Sequence, residues 1–145
     1  KGKTIVISTT NGTQAIEAAR DAYKVVIGAF TNITALCDWL VLQNRNVVLL
    51  CSGWKNRFNL EDSLFAGAVT ERLVKTNLFR TGDAALAVAS LFEKAQQYPA
   101  AFLRNSSHAE RLAAMGLKAD IKYCLSLDKT TRIPLLEGKY LVKLR

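Results

Sequence analysis

Long apolar runs are missing from this sequence of 145 residues: no stretch approaches the roughly 18 residues that span a bilayer. A secretory signal is missing too, because Lys1-Gly2-Lys3 leads directly into Thr4-Ile5-Val6-Ile7 without an apolar h-region or cleavage site. The reading is a cytoplasmic protein with no membrane partner. Proline is scarce, at two residues, which excludes collagen-like and mucin-like composition. Cysteine is limited to Cys37, Cys51 and Cys124, widely spaced and with no Cys-x-x-Cys, so a disulfide framework and a zinc ribbon are both disfavoured. There is one histidine, His108. Acidic residues are in deficit, 12 against 20 Lys plus Arg, a formal charge of +8. Half of the residues are apolar, enough for a real core in a single domain. An opening that lacks Met and leads straight into a strand reads as part of a longer protein.

The basic charge narrows the partner. Lys and Arg are spread from Lys1 to Arg145, and no RNP motif, zinc-finger spacing or set of stacking aromatics accompanies them. Sequence-specific nucleic-acid binding is therefore disfavoured. A small substrate with several negative charges suits a basic surface equally well, through electrostatic steering into a cleft.

Three βα patterns follow one another. Lys3–Ser8 is a β-branched run before the polar loop at Thr9, and Thr13–Ala22 carries Ala15, Ile16 and Ala19 at helical spacing. Lys24–Ala29 reads as a second strand, Thr31 and Asn32 as caps, and Ile33–Leu42 as an apolar helix. Asn46–Cys51 is a third, continuously apolar strand, followed by a polar loop over 52–59. The helix predicted over Leu60–Val74 places Leu64, Phe65, Ala68, Val69 and Leu73 on one face, with Asn59 as its cap. Such strands predict an α/β fold: three α/β/α layers around a mainly parallel or mixed sheet. Ligands then bind at the carboxyl ends of the strands, here Ser8–Thr13, Phe30–Asn32 and Cys51–Trp54.

The second half is more helical. Asp83–Gln97 carries an Ala-rich stripe behind a Gly82-Asp83 start, suited either to a homodimer or to the core. Pro99 begins a further turn, and Ser107 with Glu110 matches a capping box for a helix ending near Gly116. Ile121–Leu125 fits helix or strand, and Lys129–Arg132 a turn. Ile133–Leu136 and Tyr140–Leu144 read as antiparallel strands around Glu137-Gly138.

Four groups of residues carry candidate chemistry. Thr9, Thr10, Asn11, Gly12 and Thr13 offer hydroxyls and backbone N–H groups at a helix start, an anion cradle, or else a capped turn with Asn11-Gly12 in left-handed geometry. Cys51-Ser52-Gly53 ends a strand, and Cys51 with Arg57 has the spacing of a cysteine phosphatase, although Cys51 also suits a buried packing role. Glu61 and Asp62 sit in the first turn of a helix. They serve either the helix dipole or a Mg²⁺ ion shared with a phosphate, and neighbouring residues on a helix point about 100° apart. His108 and Arg111 start another helix, the first as base or hydrogen-bond donor and the second as anion holder.

In order along the chain, TTNGT (9–13), GAFTN (28–32), CSG (51–53), LEDSLFAGA (60–68), GDAA (82–85), SSHAERLAAMG (106–116) and DIKYCLSLD (120–128), with Ile133-Pro134, resemble the C-terminal part of the 2-phosphosulfolactate phosphatase family. The resemblance implies a Mg²⁺-dependent phosphatase of α/β fold that hydrolyses 2-phospho-3-sulfolactate, or a related small phosphomonoester, on the route to coenzyme M. It implicates Thr9 to Thr13 in anion binding, Cys51, Ser52 and Gly53 at the adjacent strand end, Glu61 and Asp62 near the metal, and His108 and Arg111 beside them. Members of the family are longer. Their N-terminal portion carries an Asp-Val-x-Arg-Ala-Thr-like motif that these residues lack, so the chain reads as a C-terminal fragment that binds anions but is inactive alone. The alternatives are a noncatalytic anion-binding or regulatory domain, and a cysteine-dependent phosphatase using Cys51 and Arg57.

Overall fold

The computed structural model describes residues 2–144, a mixed helix and strand chain. Its helices are α1 (Gly12–Ala18), α2 (Ile33–Gln43), α3 (Leu60–Val74), α4 (Asp83–Ala95), α5 (Pro99–Leu103), α6 (Ser107–Ala114) and α7 (Lys118–Cys124). Two strands, β1 (Pro134–Glu137) and β2 (Tyr140–Lys143), close the chain. No helix is long and apolar enough to cross a membrane among the described residues.

The core forms around α3. Leu64, Ala68, Val69 and Leu73 are buried as their spacing predicts, and Phe65 meets Phe30 edge to face at 5.3 Å. Ala66, Gly67 and Thr70, off that face, are buried as well, because α4 lies against the other side of the helix. Thr70 satisfies its hydroxyl by donating to the Ala66 carbonyl at 2.8 Å. α2 adds Ile33, Leu36, Cys37 and Leu40, and ends where Asn44 turns left-handed at φ 48°. Pro99 occupies the first turn of α5, where its missing N–H costs no hydrogen bond. The ambiguous segment at Ile121 is helical, within α7.

The closing hairpin forms as its alternation predicts, antiparallel, with Leu135 opposite Val142 and Leu136 opposite Leu141. The three expected parallel strands do not form. Lys24–Ala29 makes one bridge only, Val26 to Leu135, and it is antiparallel, with the Ile27 N–H on the Pro134 carbonyl and the Leu136 N–H on the Val25 carbonyl, both at 2.9 Å. Lys3–Ser8 and Asn46–Cys51 pair with no strand among the described residues. In the latter, Val47 and Leu49 pack toward the core, while Val48 is 87% exposed. In the former, Val6 is 93% exposed. Apolar, β-branched sequence supplies propensity, but a strand exists only through hydrogen bonds to a neighbour. Predicted helix 13–22 likewise shortens to α1, which buries none of its residues fully.

The cap of α2 differs from expectation. Asn32 does not cap α2. Its side chain is buried, accepting from the Ala29 N–H at 2.9 Å and donating to the carbonyls of Ile27 and Arg132, so it ties the start of α2 to the β1 segment. Asp128 supplies the cap from far along the chain, accepting from the Thr34 N–H at 2.9 Å and the Thr34 hydroxyl at 2.7 Å. These bonds hold the Asp128 carboxyl below the ordinary carboxylate range, the Thr34 hydroxyl contributing most. A depressed folded-state value gives stability that is full above the unfolded carboxyl range and lost as pH falls through the folded value. Asp128→Ala is therefore expected to lower the denaturation midpoint at neutral pH, with the difference from wild type vanishing in strong acid. Parallel denaturation curves at the two pH values check this, and an equal gap at both would refute it.

Candidate active site

The site begins at the Asn59 cap. Asn59 Oδ1 accepts from the Asp62 N–H at 3.0 Å and sets the first turn of α3, so the Asp62 carboxylate projects toward the preceding loop. There Asp62 Oδ2 accepts from the Gly53 N–H at 2.8 Å and from the Ser52 hydroxyl at 3.1 Å. Gly53 has φ +68°, and a Cβ there would stand 2.6 Å from the Arg57 carbonyl oxygen, so glycine alone fits. Trp54 and Arg57 exchange both backbone hydrogen bonds at 3.0 Å around Lys55 and Asn56. Positive φ at both (49° and 58°) makes this a type I′ turn, which presents Trp54 and Arg57 at its base.

Glu61 points elsewhere. Its Oε1 accepts from the Ser106 hydroxyl at 2.6 Å, and its Oε2 is buried without a hydrogen-bond partner. Ser106, not Ser107, caps α6, accepting from the Ala109 N–H at 3.1 Å. The cap lies one residue earlier than the Ser107–Glu110 spacing suggests because Ser106 alone faces both Glu61 and the helix start. The two adjacent carboxylates thus fasten different elements, Asp62 the loop at 52–53 and Glu61 the start of α6. Among the described residues, no three His, Cys, Asp or Glu side chains converge as a metal cage.

α6 returns to the loop through its second turn. The Arg111 guanidinium carbon lies 3.7 Å from the centroid of the Trp54 ring, and Arg111 Nη2 is 2.7 Å from His108 Nδ1. Arg111 Nε is buried with no hydrogen-bond partner. The His108 ring meets Trp54 at 6.4 Å, edge on. Trp54 is the residue that sequence reasoning missed. Its available signal was an aromatic directly after Ser52-Gly53 and before Arg57, inside a candidate loop.

The first loop joins through Asn11, whose Oδ1 accepts from the Lys55 N–H at 3.1 Å. Asn11 has φ −108° and Gly12 is not left-handed, which overturns the left-handed turn alternative. Instead Thr13 donates its hydroxyl to the Thr9 carbonyl at 2.5 Å, and its N–H to Thr9 Oγ1 at 3.3 Å. Thr13 so spends both its donors on Thr9, while Thr10 lies in the exposed turn between them. Cys51, Ser52, Gly53 and Arg57 line one cleft of about 330 Å³ with Asn56 and Ser63. Cys51 is exposed and not packed in the core, which overturns the buried packing role; partial desolvation, and then the Asp62 charge, push its thiol upward, away from thiolate character.

Loop, carboxylates and α6 therefore close a ring: Asp62 to Gly53, Trp54 to Arg111, Ser106 to Glu61. The loop at Asn11, the stretch from Ser52 to Asp62 and the start of α6 thus meet just after the apolar run Asn46–Cys51, where an α/β fold places its ligand. A model of the 2-phosphosulpholactate phosphatase family matches residues 1–139, and the chain belongs to that family. Relatives named "Probable 2-phosphosulfolactate phosphatase" include those of Thermotoga maritima, 38% identical over 98% of this chain and 61% of the relative, and Caldanaerobacter subterraneus, 33% identical over 95% and 57%. That of Gloeobacter violaceus is 37% identical over 92% of this chain and 55% of the relative. The chain thus spans about three fifths of the length of these relatives.

Proposed function

We propose that the chain carries most of the active site of a phosphatase that hydrolyses 2-phospho-3-sulfolactate, or a closely related small anionic phosphomonoester, in the cytoplasm. The observation that supports this best is the convergence of Asn11, Asp62 and Arg111 on the loop of residues 52–57, which lines the cleft, in a member of this family. Arg57, at the base of its turn, meets the phosphoryl oxygens in the cleft, whose loop the Asn11 side chain holds through Lys55. Arg111, whose buried Nε lacks an acceptor, takes a second anionic group of the substrate. Asp62 keeps Ser52 and Gly53 in place while this happens.

A Mg²⁺ ion fits the carboxylates in one way. Mg²⁺ is held by one or two carboxylates and keeps several waters, and Asp62 engages only one oxygen in the hydrogen bonds above. Glu61 faces Ser106 on α6 instead and would share the ion only by turning away from it. When bound, the ion neutralises phosphate charge. Water attacks phosphorus directly, or cleaves the acyl phosphate first formed on a carboxylate from the rest of a longer chain, of which we take this to be the C-terminal part; the substrate's oxygen leaves as the protonated hydroxyl and phosphate is released. The same portion supplies the strands that pair with Lys3–Ser8 and Asn46–Cys51 and complete a three-layer sheet.

Phosphate release from 2-phospho-3-sulfolactate tests this, with Mg²⁺ and with EDTA, using the longer polypeptide and the 145 residues alone. Mg²⁺-dependent release by the longer polypeptide is expected. No release by either would overturn the reaction, leaving an anion-binding role.

A further inference from the structure

The one histidine of the chain is held by a group that can only donate. A guanidinium has five N–H donors and no acceptor, and it stays protonated in proteins. At 2.7 Å from Arg111 Nη2, His108 Nδ1 must therefore be the acceptor, with no proton of its own. The imidazole carries its proton on Nε2.

The geometry around Arg111 keeps that choice fixed. Trp54 covers one guanidinium face, 3.7 Å from the ring centroid to Cζ, and its edge-on contact with His108 places both α6 side chains against the same ring. The loop that carries Trp54 is pinned by Asp62 through Gly53, and the start of α6 by Glu61 through Ser106. Arg111 and His108 also lie three residues apart on one helix, the spacing at which side chains meet.

We propose that His108 acts as a neutral hydrogen-bond donor, through Nε2–H, to an anionic oxygen in the site, and that Arg111 is the positioning residue that fixes this tautomer. His108 is then not the base that removes a proton from water, since its one acceptor nitrogen is occupied. A neutral donor of this kind stabilises oxygen charge without a proton transfer. The tautomer stands apart from the phosphatase reading; the donor's use in hydrolysis rests on it.

Long-range ¹H–¹⁵N spectra of the ¹⁵N-labelled 145-residue chain at slightly alkaline pH test both halves, and one histidine gives one unambiguous pattern. Expected in the folded chain is a pyrrole-type Nε2 and a pyridine-type Nδ1, against averaged shifts for the same chain in urea. Arg111→Leu should move the folded pattern toward the averaged one, and Arg111→Lys, which keeps a donor, should restore part of the difference. Should either variant fail to fold, the wild-type spectrum decides: an Nδ1–H tautomer, two protonated nitrogens, or shifts equal to those in urea would overturn the assignment. Addition of inorganic phosphate should shift the Nε2 resonance, and an unmoved resonance at saturating phosphate would overturn the donor role. Failure of phosphate release in the kinetic assay would count against the phosphatase reading while leaving these spectra as they are.

Discussion

Asp62→Ala is expected to lower kcat for phosphate release by about 10²-fold or more, the scale on which one preorganised electrostatic group acts. The substitution removes the acceptor that holds the Gly53 N–H and the Ser52 hydroxyl, and it takes away one carboxylate available to Mg²⁺. It leaves the start of α3 in place, because Asn59 caps the backbone N–H of residue 62 rather than its side chain. The loss of stability should therefore be small, about 1 kcal/mol for hydrogen bonds at a partly exposed site. Amide hydrogen exchange gives an independent readout: Gly53 should exchange much faster in the variant, and the first turn of α3 should not. Full activity with a fast-exchanging Gly53 would show that the loop's order is irrelevant to the reaction.

Gly67→Ala should produce the largest loss of stability. Gly67 lies where α3 crosses α4, and a Cβ there would overlap the Val88 carbonyl and stand 2.8 Å from Phe92 Cβ. Alanine in a helix is otherwise favoured over glycine by about 1 kcal/mol. Here the overlap decides the sign, because a backbone carbonyl in the middle of α4 cannot turn aside as a flexible side chain would. Overpacking of this kind costs about 1–3 kcal/mol. A lowered urea midpoint with an unchanged slope is the expected result, and a midpoint at or above that of wild type would mean that α4 shifts freely on α3.

The same helix shows what the sequence makes legible. The predicted bounds of α3, its Asn59 cap and its buried face all appear, because an N-cap and a continuous apolar face are local signals that agree. The β1–β2 hairpin is legible for the same reason. The strands at Ile5 and Val48 are not, since a local apolar run cannot say whether a neighbour is present to pair with it. Remote partners are also hidden. Nothing near Thr34 announces that Asp128, 94 residues away, caps α2, and nothing near Ser106 announces Glu61.

For the site, sequence reading nominated Asn11, Ser52, Gly53, Glu61, Asp62, His108 and Arg111, and the structure connects these elements through Lys55, Trp54 and Ser106. What spacing cannot reveal is the division of labour. Glu61 and Asp62 look like one metal pair in the sequence, yet their carboxylates face different elements, as expected of neighbours about 100° apart on a helix. Cys51 and Arg57 do share a cleft, but partial desolvation and the Asp62 charge favour the thiol over the thiolate.

That last point can be decided directly. Phosphate release from 2-phospho-3-sulfolactate, measured side by side in the longer polypeptide for wild type, Cys51→Ser and Asp62→Ala with Mg²⁺ and with EDTA, separates the carboxylate route from the thiolate route. Activity that depends on Mg²⁺, survives Cys51→Ser and is lost in Asp62→Ala is the predicted result. Activity that persists in EDTA and disappears in Cys51→Ser would contradict the account and move the chemistry to Cys51 and Arg57.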